Sequence, residues 1–209
     1  MKKISTAAIN TEQVPQVLKE HGIEYINIDK VNWPDAYPYK PEVFVAAALC
    51  EDALLLHYKV KEEKSAAVET KDNGRVWEDS CCEFFCSFDE KGYYNIESNC
   101  IGRLKFAFGS DRDNRIDASK EILENIERWA SEGYEAFSER HLDSWEVALV
   151  IPFSSFFAHN IGISSFRNIR LNVYKCGDKL STPHYLSLAP IRTTDPDFHR
   201  PEFFVADPF

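Results

Sequence analysis

Apolar and polar residues alternate along several short segments of this chain, which is the pattern of β-strands. In the segment 144–153, Trp145, Val147, Leu149 and Ile151 occupy every second position. Because successive side chains of a strand point to opposite faces of a sheet, such alternation predicts a strand with one buried face. The segments with strand character are 42–50, 53–62, 76–88, 92–109, 144–153 and 169–176.

Two segments have helical character instead. Residues 11–22 predict a short helix that Thr11 caps and Gly22 terminates. Residues 117–130 predict a longer helix, because apolar residues recur there at i, i+4 and i+7. The apolar stripe of this second segment consists of Ile122, Ile126 and Trp129.

Many short strands and few helices predict an all-β fold. The chain of 209 residues has 15 Phe and 9 Tyr but only one Met, a composition that suits pleated sheets better than helical bundles. It has no internal repeat and no linker-like stretch. We therefore predict one domain over residues 1–209, an antiparallel β-sandwich of immunoglobulin-like or jelly-roll-like type with one or two short peripheral helices.

The charge of the chain limits its partners. A formal net charge of −10 repels phosphate backbones and anionic lipid, so we expect no nucleic-acid and no membrane partner. The N-terminal residues 1–15 contain no apolar segment of signal-peptide length. The sequence as written predicts a cytoplasmic protein with reduced thiols, whereas a missing leader would make it periplasmic or secreted. The oligomeric state is left open.

The stretch "VWEDSCCEFFCSF", residues 76–88, holds three of the six cysteines. In a strand, Cys82 and Cys86 share the apolar face with two phenylalanines, where free cysteine packs as a small hydrophobic side chain. Cys81 and Cys82 point to opposite faces, and no C-x₂-C pair presents two thiolates together. We therefore predict buried thiols, no metal site and no cofactor.

The other face of this strand is polar and continues onto the next strand. Residues 89–92 form a link of hairpin length, so Glu83 is expected to share a face with Asn95, Glu97 and Asn99. Trp77 lies at the margin of that face. Amide and carboxylate groups beside a flat aromatic ring suit a sugar, which has many hydroxyls and apolar C–H faces. A plain solvated outer face is the alternative interpretation.

The same residues resemble a known family. The segments "YPYKPEV", "NGRVWEDSCCEFFCSFDEKGYYNIESNCIG", "YKCGDKLSTPHYLS" and "PDFHRPEFF" are similar to the family 9-like carbohydrate-binding modules, which are related to xylanase-associated and DOMON-type domains. The resemblance implies a β-sandwich and non-catalytic binding of a mono- or oligosaccharide, such as a reducing end of xylan or glucan. It also implies structural calcium in some relatives, although no dense oxygen-ligand loop is evident in this sequence.

Residue by residue, the resemblance implies that Trp77 stacks on the sugar and that Glu83 and Arg103 hydrogen-bond its hydroxyls. Relatives carry a second tryptophan where this chain has Leu188, and Tyr185 or Trp33 is the candidate replacement. The predicted carbohydrate-binding residues are Trp77, Glu83, Asn95, Glu97, Asn99, Arg103 and Tyr185.

Other functions are weighed against this one. A glycoside hydrolase of the endo-xylanase type would use Glu83 and Glu97 as its two carboxylates. A Cys–His nucleophile would combine Cys176 with His184, but no nucleophile elbow surrounds them. A DOMON-like haem carrier lacks an axial methionine, since Met1 is the only one. A scaffold that has lost sugar binding is the remaining alternative.

Overall fold

The computed structural model of the chain describes residues 1–5 and 9–209. Residues 6–8 lie outside the described residues. They belong to the N-terminal segment 1–15, which was considered above as a signal peptide. The strands are β1 (Lys2–Lys3), β2 (Ile26–Asn27), β3 (Lys30–Val31), β4 (Glu42–Leu49), β5 (Ala53–Lys61), β6 (Lys64–Ala67), β7 (Cys81–Asp89), β8 (Gly92–Asn99), β9 (Leu104–Gly109), β10 (Arg115–Asp117), β11 (Glu127–Ala130), β12 (Phe137–His141), β13 (Trp145–Pro152), β14 (Arg170–Cys176), β15 (Tyr185–Ser187) and β16 (Val205–Ala206).

The helices are short. The α-helices are α1 (Val14–Glu20) and α2 (Lys120–Glu124), and the 3₁₀ helices are Thr11–Gln13, Val76–Glu78, Phe153–Ser155, Ile163–Asn168 and Pro201–Phe203. Over the described residues, no helix has the length and apolarity needed to cross a membrane.

The strands form two large sheets and one small one. In the first sheet the order is β1-β4-β5-β13-β11, with β2 also paired to β4. In the second it is β10-β9-β8-β7-β14-β15-β3, with β16 also paired to β14. Strands β12 and β6 pair by themselves. The pairs are antiparallel except β1 with β4, and the predicted all-β sandwich with a few short helices is confirmed. The prediction of one domain over residues 1–209 stays a prediction.

The main core contains the inward faces of both large sheets. Val45 and Leu56 contribute from the first sheet, and Cys82, Phe84 and Cys86 contribute from β7 of the second. All of these side chains are buried, as the alternation of β7 predicted. Removing so many apolar side chains from water is the main stabilising contribution to the fold.

Each large sheet also carries a cluster on its outer face. Helix α1 covers the first sheet, where Val14 and Leu18 pack on Ala46 and Leu55. On the second sheet, the outward side chains of β7, β8 and β14 pack against the C-terminal segment that contains Phe198. The candidate site lies beside this second outer cluster.

Helix α1 begins and ends close to the predicted bounds. Gly22 has a φ of +62°, the left-handed conformation that favours glycine after a helix. The predicted cap was wrong by one residue. Asn10 caps the preceding 3₁₀ turn by accepting a hydrogen bond from the Glu12 amide, whereas the Thr11 hydroxyl donates to Glu127.

The predicted helix over 117–130 was too long. Helix α2 ends at Glu124, and the residues after it form β11, which pairs with β13. The Arg128 guanidinium donates to the carbonyls of Leu123 and Ile126, so it satisfies groups left free at the end of the helix. Pairing with a buried strand therefore outweighs the local helical pattern.

Candidate binding site

Strands β7 and β8 bring the predicted polar residues onto one outer face. Glu83 lies opposite Glu97, and Phe85 lies opposite Asn95, in an antiparallel register. Strand β14 flanks β7 on its other side, where Tyr174 is the partner of Glu83. This face is covered by other parts of the chain, so the polar side chains are buried rather than solvated.

A cavity of about 510 Å³ opens over this face. Its volume falls within the range of small-molecule sites, roughly 300–1,000 Å³. Five of the seven predicted residues line it, and they are Trp77, Glu83, Asn95, Glu97 and Tyr185. Further lining side chains come from β9, β10 and the C-terminal segment.

Aromatic side chains contribute part of the cavity wall. Trp77 belongs to the 3₁₀ helix Val76–Glu78 that leads into β7, and its carbonyl accepts a hydrogen bond from the Asp178 amide. Tyr185 lies at the start of β15 and packs edge-on against Tyr37, with 4.8 Å between ring centroids. Phe198 stacks on Tyr174 of β14. The three lining rings are Trp77, Tyr185 and Phe198.

Glu83 and Glu97 form a buried pair of carboxyl groups. Burial and the neighbouring Glu97 raise the pKa of Glu83 well above its usual range. Burial raises the pKa of Glu97 to about 7, while Asn95 and the charge of Lys105 limit the rise. Two adjacent carboxylates resist ionising together. Near neutral pH, Glu83 therefore keeps its proton and can donate a hydrogen bond, while Glu97, whose pKa is close to that pH, is the member of the pair that ionises first and then accepts.

The hydrogen bonds that Glu83 and Glu97 make within the protein leave one carboxyl oxygen available to a ligand. The Asn95 amide donates to Glu97 Oε1 at 2.6 Å, and the Cys176 thiol donates to Glu83 Oε1 at 3.1 Å. Glu97 Oε2 is buried and has no hydrogen-bond partner among the described residues. Because an unpaired buried oxygen is costly, a ligand hydroxyl that donates to it would be favourable.

Arg115 is an arginine of the cavity that the sequence reasoning missed. Its guanidinium donates to Asn95 Oδ1 and, at 3.3 Å, to the Tyr93 carbonyl, and it lies 4.4 Å above the Tyr93 ring. It comes from β10, which pairs with β9. The strand order β7-β8-β9-β10 places Arg115 near Asn95. No local sequence motif indicated this order.

Lys105 was also missed, although strand alternation contained the signal. It is the β9 partner of Glu97 and lies in a row with Glu83 across three strands. Its ammonium group pairs with Asp117 at 2.7 Å. The C-terminal segment adds His199 to the lining of the cavity. His199 Nδ1 lies 2.9 Å from the Tyr93 hydroxyl.

The structure does not bring Asn99 and Arg103 to the cavity. Asn99 is buried, donates to Asp79 Oδ2 at 2.9 Å and accepts from the Arg103 amide, so it stabilises the turn after β8. Burial raises the pKa of Asp79, and the Asn99 hydrogen bond opposes this rise. Neither Asn99 nor Arg103 is among the residues that line the cavity.

Leu188, at the position of the expected second tryptophan, packs against the main core between the sheets. Trp33, one of the two candidate replacements, is buried and donates its indole N–H to the Thr193 carbonyl at 2.9 Å. The other candidate, Tyr185, lines the cavity together with Trp77.

Cys176 and His184 do not form a nucleophile pair in this arrangement. Cys176 donates to Glu83, whereas His184 Nε2 lies 2.7 Å from Lys175 Nζ and its Nδ1 lies 3.0 Å from the Thr182 carbonyl. Burial raises the pKa of the Cys176 thiol well above its usual value, which disfavours the nucleophilic thiolate.

Comparison with known proteins identifies the family to which the chain belongs. Residues 12–207 match carbohydrate-binding family 9. No curated protein matches the chain at a significant level. A protein from Bacteroides uniformis ATCC 8492, solved as a proposed carbohydrate-binding protein, is 48% identical. That match covers 97% of this chain and 96% of the other, with a TM-score of 0.89.

More distant structures share the fold. A family 9 carbohydrate-binding module from Caldicellulosiruptor kristjanssonii, solved with cellotriose, is 11% identical and has a TM-score of 0.55; the match covers 97% of this chain and 90% of that one. The same module solved with glucose has the same identity and TM-score and covers 98% and 93%. Non-catalytic carbohydrate binding, as predicted, is confirmed at the level of the family. The cavity on the second sheet thus lies in a chain that belongs to carbohydrate-binding family 9.

Proposed function

We propose that the cavity on the second sheet binds a mono- or oligosaccharide through Trp77, Tyr185, Asn95, Glu83 and Glu97, without cleaving it. The observation that carries the proposal is the combination of aromatic walls with a buried carboxyl pair in one cavity. A pyranose ring presents C–H faces to the aromatic side chains and hydroxyls to the polar ones.

The polar groups suit hydroxyls because they include both hydrogen-bond directions. A protonated Glu83 donates, and Glu97 Oε2 accepts. Each sugar hydroxyl is itself a donor and an acceptor, so adjacent hydroxyls of one ring can satisfy both carboxyl groups. Arg115 orients Asn95 from the opposite side and leaves its amide directed at Glu97.

Hydrolysis by Glu83 and Glu97 is the second candidate. A retaining glycosidase needs two carboxyl groups about 5–5.5 Å apart, one ionised as the nucleophile and one protonated as the acid. The cross-strand pair offers a protonated Glu83 and a Glu97 that ionises near pH 7, which is the observation that favours this candidate. Membership of a family of binding modules favours binding alone.

Isothermal titration calorimetry tests the proposal. Glucose and cellotriose, the ligands named for the Caldicellulosiruptor module, are the first to titrate, followed by xylo-oligosaccharides. We expect saturable binding that Trp77→Ala weakens by about 5- to 150-fold, since stacking on an aromatic ring contributes about 1–3 kcal/mol. Tyr134→Ala, an exposed aromatic outside the cavity, is the matched control.

A reducing-sugar assay on the same oligosaccharides separates binding from hydrolysis. If the protein releases reducing ends and Glu83→Gln abolishes this release, the protein is a glycoside hydrolase and the binding proposal is wrong. Flat titrations across the whole panel would leave a scaffold that has lost sugar binding.

A further inference from the structure

Three side chains with metal-binding atoms converge beneath the cavity. Cys81 and Cys176 lie directly opposite each other on the paired strands β7 and β14. Glu83 is two residues further along β7, on the same face as Cys81. One donor atom from each residue lies within 4.8 Å of the other two. We call these three residues the thiol–carboxylate cluster.

The cluster contains a buried acid without a cation. Glu83 is 3% exposed, and among the described residues no lysine, arginine or histidine forms a salt bridge with it. The buried Lys175 is bound instead to Glu62 at 2.8 Å. Buried carboxylates normally pair with a base or coordinate a metal ion. Without a cation, Glu83 stays protonated; a divalent cation among the three donors would displace that proton and pair with the ionised carboxylate.

The donor types select the kind of ion. Calcium takes six to eight oxygen ligands, so two thiols do not fit the structural calcium that the family resemblance implied. Thiolates prefer zinc and other thiophilic ions. Donors around a tetrahedral zinc ion lie about 3.3–3.8 Å apart, so the cluster needs only small side-chain shifts to enclose one.

The cluster leaves one coordination position open. Glu83 and Cys176 line the cavity, whereas Cys81 is fully buried and does not line it. Three protein ligands and one open position are the arrangement of zinc sites that take a water or a substrate oxygen as the fourth ligand. We propose that Cys81, Glu83 and Cys176 bind a thiophilic divalent cation, zinc by preference, at the floor of the cavity, with its fourth position open to a water or a ligand hydroxyl.

Sequence alone argued against a metal site because Cys81 and Cys82 point to opposite faces. In the tertiary structure the second thiol comes from Cys176 instead of Cys82. Strand β14 places Cys176, which is 95 positions after Cys81 in the sequence, opposite Cys81. On binding the ion, both thiols and the protonated Glu83 carboxyl lose their protons to solvent. The sulfur atoms remain reduced, so no oxidant or reductant is involved.

The test is a metal titration of the sugar-free, reduced protein. Zinc is titrated against a chromophoric chelator, and cadmium is titrated while thiolate-to-cadmium charge-transfer absorption is followed. We expect one ion per chain, cadmium absorption of the size expected for two thiolates, and a rise in melting temperature with added zinc. The absence of stoichiometric binding, or of the charge-transfer band, would overturn the proposal.

Variants assign the ligands. Cys176→Ser should remove the charge-transfer band of one thiolate and weaken zinc binding at least tenfold. Glu83→Gln keeps the side-chain shape and should also weaken zinc binding. It serves as the test if Cys176→Ser fails to fold. Cys86→Ser is the matched control, because Cys86 is equally buried on β7 but packs in the main core. Equal loss of zinc binding in Cys86→Ser, or full binding in Glu83→Gln and Cys176→Ser, would contradict the assignment.

The metal titration uses no sugar, so its result does not depend on the proposed function. A chain that binds zinc but no saccharide would refute carbohydrate binding alone. A chain that binds saccharide but no zinc would refute the metal site alone.

Discussion

Lys175 Nζ lies 2.8 Å from Glu62 Oε2, and both side chains are fully buried. The Trp145 indole and the Ser65 hydroxyl donate to the other oxygen of Glu62. Burial by itself would raise the pKa of Glu62, but Lys175 and His184 together outweigh burial through their charges and hydrogen bonds and hold that pKa well below its usual range. The ion pair thus fixes β14 from one side, while Cys176 reaches the cavity from the other.

Breaking this ion pair should destabilise the fold strongly. Lys175→Met leaves the buried Glu62 with only His184, whose own pKa burial lowers, as a basic neighbour. We therefore expect the free energy of unfolding to fall by about 3–5 kcal/mol in guanidinium titrations. The double variant Lys175→Met/Glu62→Gln should recover most of the loss. Lys120→Met, which removes the exposed pair with Glu124, should change stability by less than about 0.5 kcal/mol. Equal losses in both single variants would refute this account.

Leu188→Trp should not restore an aromatic clamp. Leu188 packs against the main core, so the larger ring overfills that space and should lower the free energy of unfolding by about 1–3 kcal/mol. Saccharide affinity of the folded fraction should stay unchanged in calorimetry. Leu188→Met, similar in volume, is the control. Tighter binding at unchanged stability would show that position 188 reaches the ligand.

Arg115→Lys should weaken saccharide binding about tenfold, a prediction that rests on the proposed function. A lysine ammonium cannot bind Asn95 and the Tyr93 carbonyl together as the guanidinium does. Asn95 would then lose its fixed orientation towards Glu97. Arg192→Lys, at an exposed position outside the cavity, should leave affinity unchanged. A calorimetric dissociation constant equal to that of the unaltered protein would contradict this positioning role.

His199 should contribute to acid destabilisation. Burial, followed by the positive charges of Arg115 and Arg112, lowers the pKa of His199 to about 3. An unfolded histidine has a pKa of about 6.5, so between these values the unfolded chain binds more protons. The free energy of unfolding therefore falls as the pH drops from about 6.5 towards 3.

Denaturant titrations between about pH 4 and 6.5 measure this slope. The slope of the free energy of unfolding against pH gives the number of protons taken up on unfolding. His199→Gln should reduce this number by up to one, whereas His141→Gln, at an exposed position, should leave it unchanged. A slope that His199→Gln leaves intact would show that this histidine is not responsible.

Local patterns predicted much of the second sheet. The alternation of Cys82, Phe84 and Cys86 identified the core face of β7, and the short link after Asp89 identified its partner β8. The helix over 117–130 failed because its second half pairs with β13, a contact that no local pattern contains. Arg103, which the family resemblance indicated, does not line the cavity, whereas Arg115 reaches it through β10.

By itself, the sequence determined which residues face inward and which outward on each strand, because side chains alternate and apolar ones leave water. It thereby identified Glu83, Asn95 and Glu97 as neighbours on one face, with Trp77 at its margin. Only the tertiary structure decided what covers that face, since strand order and the C-terminal segment bring together residues far apart in sequence. That long-range pairing turned a polar face into the wall of a cavity and placed Cys176 opposite Cys81.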